Sequence, residues 1–404
     1  MSFLDKYRIF CSGNEANPTY HIFAGLSALS AVTQRRIWID QGYFKIFPNL
    51  YIVLVGPAGG RKTTAMDIAA ALIEKLETIP FTTDCVTKEK LIMDIRAEER
   101  AIDGMPEIYK KEGLGVVSPT ALFLTELSDF LGPSSVGMIN FLTAVYDRQT
   151  YTYKTKNKGA EKLIGPYLTI LACTTPEWIT TYLRSDVISG GFSRRTLFVY
   201  EWEEGRRIPW PTVTPDMIIA WEEALSHCRQ IQKLAGPMKW SDEAKKFYED
   251  WYINLKIPND DTVRGYYKSK HVQLLKVSML LSLSESTDMV LQRRHLEFGL
   301  ELLKLAEANL LKVFQGMGRN ELHAVANKAL DYLRATDARE VDLDGKRQTV
   351  RIMPEKQLKA LLFKDAGGRD IDDIIAHLAS TEKVRKTTTV INGQARTFII
   401  LSES

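Results

Sequence analysis

The chain has few cysteines, and they form no recognisable pattern. Its four cysteines are widely separated along 404 residues with no C-x-x-C pair, and its six histidines show no metal-ligand spacing. These absences argue against a structural zinc site or a disulfide framework. The cytosol, a reducing compartment, is therefore the expected location.

Long apolar runs and an excess of one charge are also missing. No stretch approaches the roughly 20 apolar residues that a membrane-spanning helix needs, and the first residues lack the charged-then-apolar pattern of a signal peptide. The net charge is only +3, which gives no global signal for binding a polyanion. We expect no membrane partner, and any nucleic-acid contact has to come from a local patch.

The composition is that of an ordinary globular protein, with 45% hydrophobic and 25% charged residues. A chain of this length holds roughly two or three domains. The pattern along the sequence predicts a helical N-terminal segment at 1–45, a core at 46–205, a helical subdomain at 206–319 and a C-terminal module at 320–404. The break near residue 210 is a Pro-Trp-Pro sequence, which ends the pattern of the core.

A glycine-rich turn lies between an apolar run and a helical pattern near the start of the core. The run Leu50–Val55 is typical of a buried parallel strand, and residues 64–76 indicate a helix. Between them, Gly56-Pro57-Ala58-Gly59-Gly60-Arg61-Lys62-Thr63-Thr64 follows the P-loop pattern G-x-x-x-x-G-K-[ST] at all positions but one. Backbone N–H groups and the helix dipole would converge there on an anion.

This motif predicts a site for ATP with Mg²⁺. Lys62 would reach the β- and γ-phosphates, and the Thr63 hydroxyl would hold the metal. Arg61 stands where the pattern has its second glycine, so we expect its backbone in the right-handed helical region, with Gly59 and Gly60 forming the tight turn. The alternative is a glycine turn without a ligand. The predicted nucleotide-binding residues are Gly56, Gly59, Gly60, Arg61, Lys62, Thr63 and Thr64.

An acidic residue ends the next buried strand, which we place at Ala121–Glu126. Glu126 is the best candidate for the carboxylate that activates an attacking water. The residue before it is Thr125 rather than an acid, so we expect Asp129 to complete the Mg²⁺ site. The alternative role of Glu126 is a cap on the following helix.

Two further strands, at 167–173 and 196–200, complete an alternation of strands and helices that predicts an α/β fold with a mostly parallel sheet. Thr174 follows the first of these, at the edge where doubly wound sheets bind ligands, and is a candidate for sensing the γ-phosphate. Arg194 and Arg195 precede the second. Guanidinium groups match phosphates well, although a surface pair or an internal salt bridge is the plain alternative.

The segment 146–162 alternates aromatic, threonine and basic residues and predicts a hairpin. Lysines that contact phosphates and aromatics that stack on bases are the chemistry of binding single-stranded DNA without sequence preference. We expect this hairpin on the nucleotide side of the sheet; the alternative is a solvated basic hairpin without a partner. The predicted DNA-binding residues are Arg148, Tyr153, Lys154, Lys156 and Lys158.

Three other stretches have recognisable patterns. A charged helix is expected at 96–111, and a helical region from 241 to about 316. The C-terminal module shows a helix near 321–334, a hairpin, two helices near 355–364 and 370–379, and a second hairpin whose turn is an Asn-Gly pair. Helices followed by a terminal hairpin suggest a winged helix.

Five short motifs together resemble a family of P-loop ATPases found in phages and mobile elements beside, or fused to, primases. They are the strand that starts at Asn49-Leu50, Gly56–Thr64, Leu122–Glu126, Thr174-Thr175-Pro176 and Gly191–Arg195. The resemblance covers roughly residues 15–310, and it implies a RecA-like or AAA-like ring ATPase similar to replicative helicases. It also implies that Glu126 is catalytic and that Arg194 or Arg195 is an arginine finger reaching a neighbour's ATP. No primase-like segment precedes the core, so a primase would be a separate partner.

The expected function is therefore that of an ATP- and Mg²⁺-dependent ring motor, a hexameric replicative-type DNA helicase that acts on single-stranded DNA. Two alternatives stay open: an ATP-switched initiator or helicase loader, and a nucleotide-binding assembly scaffold that does not hydrolyse ATP. Arg61 and Thr125 are the two departures from the family pattern, and both bear on hydrolysis.

Overall fold

A computed structural model of the chain describes residues 1–83, 86–131, 135–155, 159–182, 191–202, 206–308, 325–343, 346–391 and 394–402. It divides into two compact units, Met1–Phe314 and Gln315–Ser404. Each unit is described by itself.

The described strands of the first unit are mostly short. They are β1 (Ile37–Asp40), β2 (Lys45–Ile46), β3 (Tyr51–Val55), β4 (Phe81–Thr82), β5 (Arg100–Ala101), β6 (Val116–Leu124), β7 (Thr150–Thr155), β8 (Gly159–Ile164), β9 (Pro166–Thr174), β10 (Thr196–Tyr200), β11 (Gly236–Pro237), β12 (Lys239–Trp240) and β13 (Val290–Leu291).

The described helices of this unit cover both ends of its sequence. They are α1 (Phe3–Cys11), α2 (Pro18–Thr33), α3 (Lys62–Glu74), α4 (Lys88–Ala97), α5 (Glu107–Tyr109), α6 (Leu127–Leu131), α7 (Ser135–Val145), α8 (Pro176–Tyr182), α9 (Pro215–Ile231), α10 (Asp242–Ile253), α11 (Asp261–Glu285) and α12 (Arg293–Ala308).

A parallel sheet with flanking helices forms the centre of the first unit, as the alternating pattern predicted. Five strands pair in parallel in the order β10-β3-β9-β6-β4, and β5 joins β6 antiparallel. Every residue of β3, β9 and β10 is buried. Parallel strands that are covered on both faces consist of such continuous apolar runs, which is why their positions were predictable.

Helix α2 is also buried all round. Thirteen of its 16 residues are buried, because it packs against α3 and against the sheet. An Asn17 side chain caps its start by accepting from the backbone N–H of Thr19 at 2.9 Å, and Pro18 occupies the first turn, where a missing N–H is tolerated. The N-terminal segment thus lies against the same sheet as the glycine-rich turn.

The predicted charged helix at 96–111 is wrong. Helix α4 ends at Ala97, and Arg100–Ala101 then pairs with β6 as β5. A short helical stretch, 107–114, follows, with Gly113 at a φ of 82°. Charge predicted surface exposure correctly here, but the chain uses the exposed stretch to add an edge strand.

All five parallel strands end at one edge of the sheet, and three residues of the predicted site lie at that edge. Gly56 leaves β3, Thr174 is the last residue of β9, and Glu126 lies two residues after β6. The register pairs Val55 with Thr174. The site residues predicted from separate motifs therefore lie at one edge, whereas Arg195 precedes β10 and lies at the other.

The second unit is a four-stranded antiparallel sheet packed on three helices. Its strand order is β14-β15-β17-β16, so the two predicted hairpins join through β15 and β17. Its elements are α13 (325–334), β14 (Ala338–Leu343), β15 (Lys346–Pro354), α14 (Glu355–Leu362), α15 (Gly368–Ser380), β16 (Val384–Ile391) and β17 (Gln394–Leu401). Leu333, Leu362, Ile371 and Ile399 belong to its own apolar core.

Within the parts of the chain that the structure describes, no helix has both the length and the apolar character required to cross a bilayer.

Candidate functional site

Arg61 has a left-handed backbone conformation, which glycine adopts without strain. Its φ of 57° and ψ of 21° place it in the left-handed region, so the prediction of a right-handed conformation is wrong. A side chain there costs roughly 1–2 kcal/mol. The Arg61 guanidinium forms an ion pair with Glu15 at 2.7 Å, which holds the side chain toward the N-terminal segment.

Glu15 was not found by sequence reasoning, because no local pattern links it to residue 61. The backbone N–H of Ile208 donates to its carboxylate at 2.9 Å. That bond, together with the charge of Arg61, lowers the pKa of Glu15. Glu15 thus joins the loop to the segment that follows β10.

Lys62 is turned into its own loop. Its Nζ donates to the carbonyl oxygens of Gly56 at 2.9 Å and Pro57 at 2.8 Å, and only 8% of the residue is exposed. Burial lowers the pKa of Lys62, while the charges of Glu126 and Glu177 act in the opposite direction. An ammonium group, two carboxylates and the loop therefore share one electrostatic environment.

The first turn of α3 adds backbone donors at the same place. The N–H groups at the start of a helix have no carbonyl partner within it, and Arg61 provides no side-chain cap to this helix. Thr63 is exposed and Thr64 half-buried in this turn. Gly59 has a φ of 80°, which glycine adopts without strain. The arrangement can accept an anion.

Gly56 is required by close packing. A Cβ added to it would lie 2.3 Å from the Tyr20 hydroxyl and 2.9 Å from the Glu201 carbonyl oxygen. That hydroxyl donates to the Val55 carbonyl at 2.8 Å. Tyr20, on α2, is a second contact between the N-terminal segment and the loop that the sequence did not reveal.

Glu126 lies between β6 and α6 with an exposed side chain. Its charge acts on both Lys62 and Cys173, so the strand that it follows does bring it to the loop. Glu177, in the first turn of α8, is a further acid near Lys62 that sequence reasoning missed. The signal was present, because it closely follows the predicted Thr174.

Thr174 provides the clearest polar group without a partner. It is 1% exposed, and its Oγ1 has no hydrogen-bond partner within the described part of the chain. Its carbonyl oxygen accepts from the Gly56 N–H at 3.3 Å, which places it against the loop. A buried hydroxyl is rarely left unpaired, so a ligand or water oxygen at this point would complete its bonding.

The residues fit Mg²⁺ only as a companion of phosphates. No group of three or more His, Cys, Asp or Glu that could hold a metal occurs among the described residues. Mg²⁺ commonly uses one or two protein oxygens together with substrate phosphates and water, and Thr63 and Glu126 could supply those. Asp129 is exposed on α6, where its carboxylate accepts from the Ser128 hydroxyl at 3.2 Å; its metal role stays a prediction.

The two arginines differ in their surroundings. Arg195 Nη1 donates to the Gly191 carbonyl at 2.9 Å, and Arg195 Nε lies 3.7 Å from Asp147. Arg194 is exposed, and its carbonyl oxygen accepts from Gln273 at 3.2 Å. Both lie before β10, level with the start of β3, and five strand residues span roughly 16 Å. Neither side chain can reach the loop of its own copy.

Asp147 joins Arg195 to a buried lysine. The fully buried Lys276, on α11, lies 3.4 Å from Asp147 and donates to Asn49 Oδ1 at 2.7 Å. Its ammonium also lies 3.9 Å from the ring centre of Tyr146. Burial lowers the pKa of Lys276 to about 8.

The predicted hairpin exists, but its base lies at the edge of the parallel sheet opposite to the expected one. β7 and β8 pair antiparallel from Thr150 with Ile164 to Thr155 with Gly159. The Gln149 carbonyl accepts from the Gly165 N–H at 2.8 Å, just before β9 begins. Helix α7 carries the chain back by about 16 Å to this edge, so the base of the hairpin lies at the edge opposite the loop, whereas the hairpin was expected on the nucleotide side.

The hairpin packs on α4. The Tyr153 hydroxyl donates to Glu89 at 3.0 Å, Lys88 lies 4.9 Å from the centre of the Tyr153 ring, and Arg96 pairs with Glu161. The Tyr153 ring, which was predicted to stack on DNA bases, therefore contacts residues of the same chain. Arg148 and Lys154 are exposed. Lys156 and Lys158 lie outside the described residues.

No protein-family model and no curated protein matches the chain. The site is therefore interpreted from its own geometry. That geometry brings the loop, Lys62, Glu126 and Thr174 together at one sheet edge and leaves Arg194, Arg195 and the base of the hairpin at the opposite edge.

Proposed function

We propose that the chain is an ATPase that works as a ring of copies and moves along single-stranded DNA, as a replicative-type helicase does. The observation that carries the ATPase part is the buried Thr174 hydroxyl beside the glycine-rich loop, which has no hydrogen-bond partner among the described residues. Lys62 and Glu126 lie in the same electrostatic environment. An ammonium group, helix N–H groups and a carboxylate at one strand edge suit a nucleoside triphosphate and an attacking water.

Each residue has a distinct task in this proposal. Lys62 leaves the Gly56 and Pro57 carbonyls and binds phosphate oxygens. Glu126 accepts the proton of the attacking water, and Thr174 orients that water or the γ-phosphate. Mg²⁺, held by the Thr63 hydroxyl and phosphates, would neutralise charge on the transferred group.

The ring part rests on the distance across the sheet. Because the arginines lie at the edge opposite the loop, an arginine finger can act only on the site of another copy. We assign this role to Arg194, whose side chain is exposed, rather than to Arg195, which binds Gly191 and Asp147. The RecA-like or AAA-like assignment of the core belongs to this proposal.

The DNA part rests on the hairpin, which leaves the sheet at the same edge as Arg194. Exposed Arg148 and Lys154 offer charges for phosphates. Asp147 contacts Arg195 and directly precedes Arg148, so a shift of the finger segment reaches the base of the hairpin.

One observation favours a second candidate, a nucleotide-binding scaffold without turnover. Thr125 supplies no second carboxylate, and the described residues contain no acidic metal cluster. ATP turnover by the purified protein separates the two candidates. Unwinding of a forked duplex then separates a helicase from an ATP-switched loader.

The test uses three substitutions. Lys62→Ala should abolish ATP binding, because the loop loses its ammonium group, whereas Lys75→Ala, at the exposed C-terminal end of the same helix, should not. Glu126→Gln should keep ATP affinity and reduce turnover by roughly 10²–10⁴. Calorimetry measures the affinity, and phosphate release the turnover. An ATP dissociation constant that Lys62→Ala leaves unchanged would overturn the assignment.

A further inference from the structure

A cavity of about 690 Å³ is lined by residues of α1, by the start of α2 and by Arg206. Its volume is in the range that small-molecule ligands occupy, about 300–1,000 Å³. Arg8, Asn14, Ala16, His21 and Arg206 are among the residues around it. Guanidinium groups such as those of Arg8 and Arg206 can stack on planar rings.

Two contacts hold the cavity wall against the loop. Glu15, between the lining residues Asn14 and Ala16, pairs with Arg61 at 2.7 Å. Tyr20, next to His21, places its hydroxyl at the Val55 carbonyl, 2.8 Å away. Residues that flank the cavity wall are therefore joined to Arg61 in the loop and to Val55 at the end of β3.

The protonation state of His21 follows from its neighbours. Asn14 Nδ2 donates to the Cys11 carbonyl at 2.9 Å, and Asn14 Oδ1 accepts from the Ala16 N–H at 2.9 Å, which fixes the orientation of the amide. This oxygen faces His21 Nε2 at 2.8 Å, so Nε2 carries the hydrogen and donates it.

The other ring nitrogen, Nδ1, is then an acceptor. Burial lowers the pKa of His21 to about 4, so the ring is neutral at pH 7 and Nδ1 has a free lone pair. His21 is 3% exposed, and Nδ1 has no hydrogen-bond partner in the described part of the chain. A buried acceptor without a donor is unfavourable, and a ligand N–H would satisfy it.

We propose that the cavity holds the base of the bound nucleotide and that His21 Nδ1 accepts a hydrogen bond from the 6-amino group of adenine. This inference rests on the proposed function, because the loop has to hold the phosphates. Nδ1 is below the cavity surface, so the wall shifts as the base binds. A 6-oxo purine places an oxygen at this position, and two acceptors then face each other.

The wild-type protein tests this with ligands alone. We expect ATP to bind at least about tenfold more tightly than GTP or purine riboside triphosphate, since the latter two leave the buried nitrogen without the 6-amino donor. Inorganic tripolyphosphate reports on the loop without a base. Equal affinities for the three nucleotides would overturn the inference.

A substitution provides the second arm. His21→Phe keeps a ring but removes the acceptor, so the preference for ATP should disappear while tripolyphosphate affinity stays the same. His271→Phe, on α11 and in ring contact with Tyr252 instead of with a cavity element, is the matched control and should keep the preference. If His21→Phe fails to fold, the wild-type ligand series decides.

The two proposals fail in different ways. If tripolyphosphate does not bind, or binds equally to Lys62→Ala, the proposed phosphate site is wrong. If tripolyphosphate binding depends on Lys62 but the base makes no difference, only the role of the cavity and His21 is wrong.

Discussion

At the scale of the residue, the adjacent Arg194 and Arg195 before β10 have different environments, and single substitutions can distinguish them. Arg195 shares the Asp147 carboxylate with buried Lys276, whereas Arg194 is exposed. Removing one cation from a half-buried cluster disturbs folding, but removing an exposed side chain changes stability by only about 0.5 kcal/mol. Substitution of Arg194 should therefore affect turnover without affecting stability, whereas substitution of Arg195 should reduce stability.

We expect Arg194→Ala to reduce ATP turnover by roughly 10³ without lowering the melting temperature. Arg195→Ala should lower the melting temperature. Mixing Arg194→Ala with Lys62→Ala should restore part of the turnover, because each copy supplies what the other lacks. Full turnover by Arg194→Ala alone, or no recovery in the mixture, contradicts a finger that acts between copies.

His21 makes a pH-dependent contribution to stability. Its pKa is about 4 in the folded chain, against the ordinary histidine value of 6.5 that applies to the unfolded chain, so the unfolded chain binds more protons between these values. Stability should then rise with pH from about 4 to 6.5. Melting temperatures across this range should show a smaller slope for His21→Phe than for the wild type. Identical slopes would mean that the pKa of His21 is the same in the folded and the unfolded chain.

At the scale of the element, the β7–β8 hairpin and α4 act as one piece. Tyr153 and Glu161 bind α4 through Glu89 and Arg96. The hairpin therefore presents its exposed basic residues from a supported surface. If the hairpin binds DNA as proposed, this arrangement favours contact with phosphates over stacking by Tyr153.

Lys154→Ala should weaken binding to single-stranded DNA and reduce the slope of log affinity against log salt by about 0.7, the value for one phosphate contact. Lys111→Ala, exposed in the 107–114 stretch, is the control and should change neither. Fluorescence anisotropy with a labelled oligonucleotide at several salt concentrations measures both quantities. An unchanged slope for Lys154→Ala would remove this residue from the DNA interface.

The sequence predicted correctly those elements whose own residues form a recognisable pattern. β10 begins and ends as expected, because five apolar residues buried on both faces leave a continuous run. β4 and β5 have two residues each and exist only because β6 pairs with them. The edge of the sheet at which the hairpin begins depends on the length and direction of α7. No short sequence motif indicates that direction.

The candidate site shows the same division. Lys62 and Glu126 were found because each has a local pattern, a glycine-rich turn or the end of an apolar strand. Glu15 and Tyr20 were missed because their partners, Arg61 and Val55, are distant in sequence. The prediction for Arg61 was wrong because it followed the general preference of non-glycine residues for the right-handed region. The turn instead requires a left-handed residue at this position.

At the scale of the whole molecule, two units each have an apolar core. The second unit exposes three carboxylates, Asp370, Asp372 and Asp373, in the first half of α15. Carboxylates there would meet DNA phosphates with like charge. Its basic residues, such as Lys383 and Arg385, flank the start of the β16 strand instead. We infer a protein partner for this unit, either a neighbouring copy or a primase.

Deleting 315–404 should leave ATP turnover by the first unit within about threefold, less than 1.4 kcal/mol in barrier height, and should weaken assembly or recruitment. Light scattering measures assembly, and phosphate release measures turnover. The separate second unit should not bind duplex DNA tightly. Salt-sensitive duplex binding would show instead that it is a DNA-docking domain with a winged-helix role.

The strand order also sets when the glycine-rich loop can form during synthesis. β3 has β9 on one side and β10 on the other, and both are translated much later. At roughly 5–20 residues per second, the ribosome needs on the order of ten seconds to reach them. Until then, the apolar β3 has no partner strand on either side, and non-local pairing of this kind is slow. We therefore expect the nascent chain to be a client for chaperones that bind apolar segments, and the proposed ATP site can form only after the last parallel strand has left the ribosome.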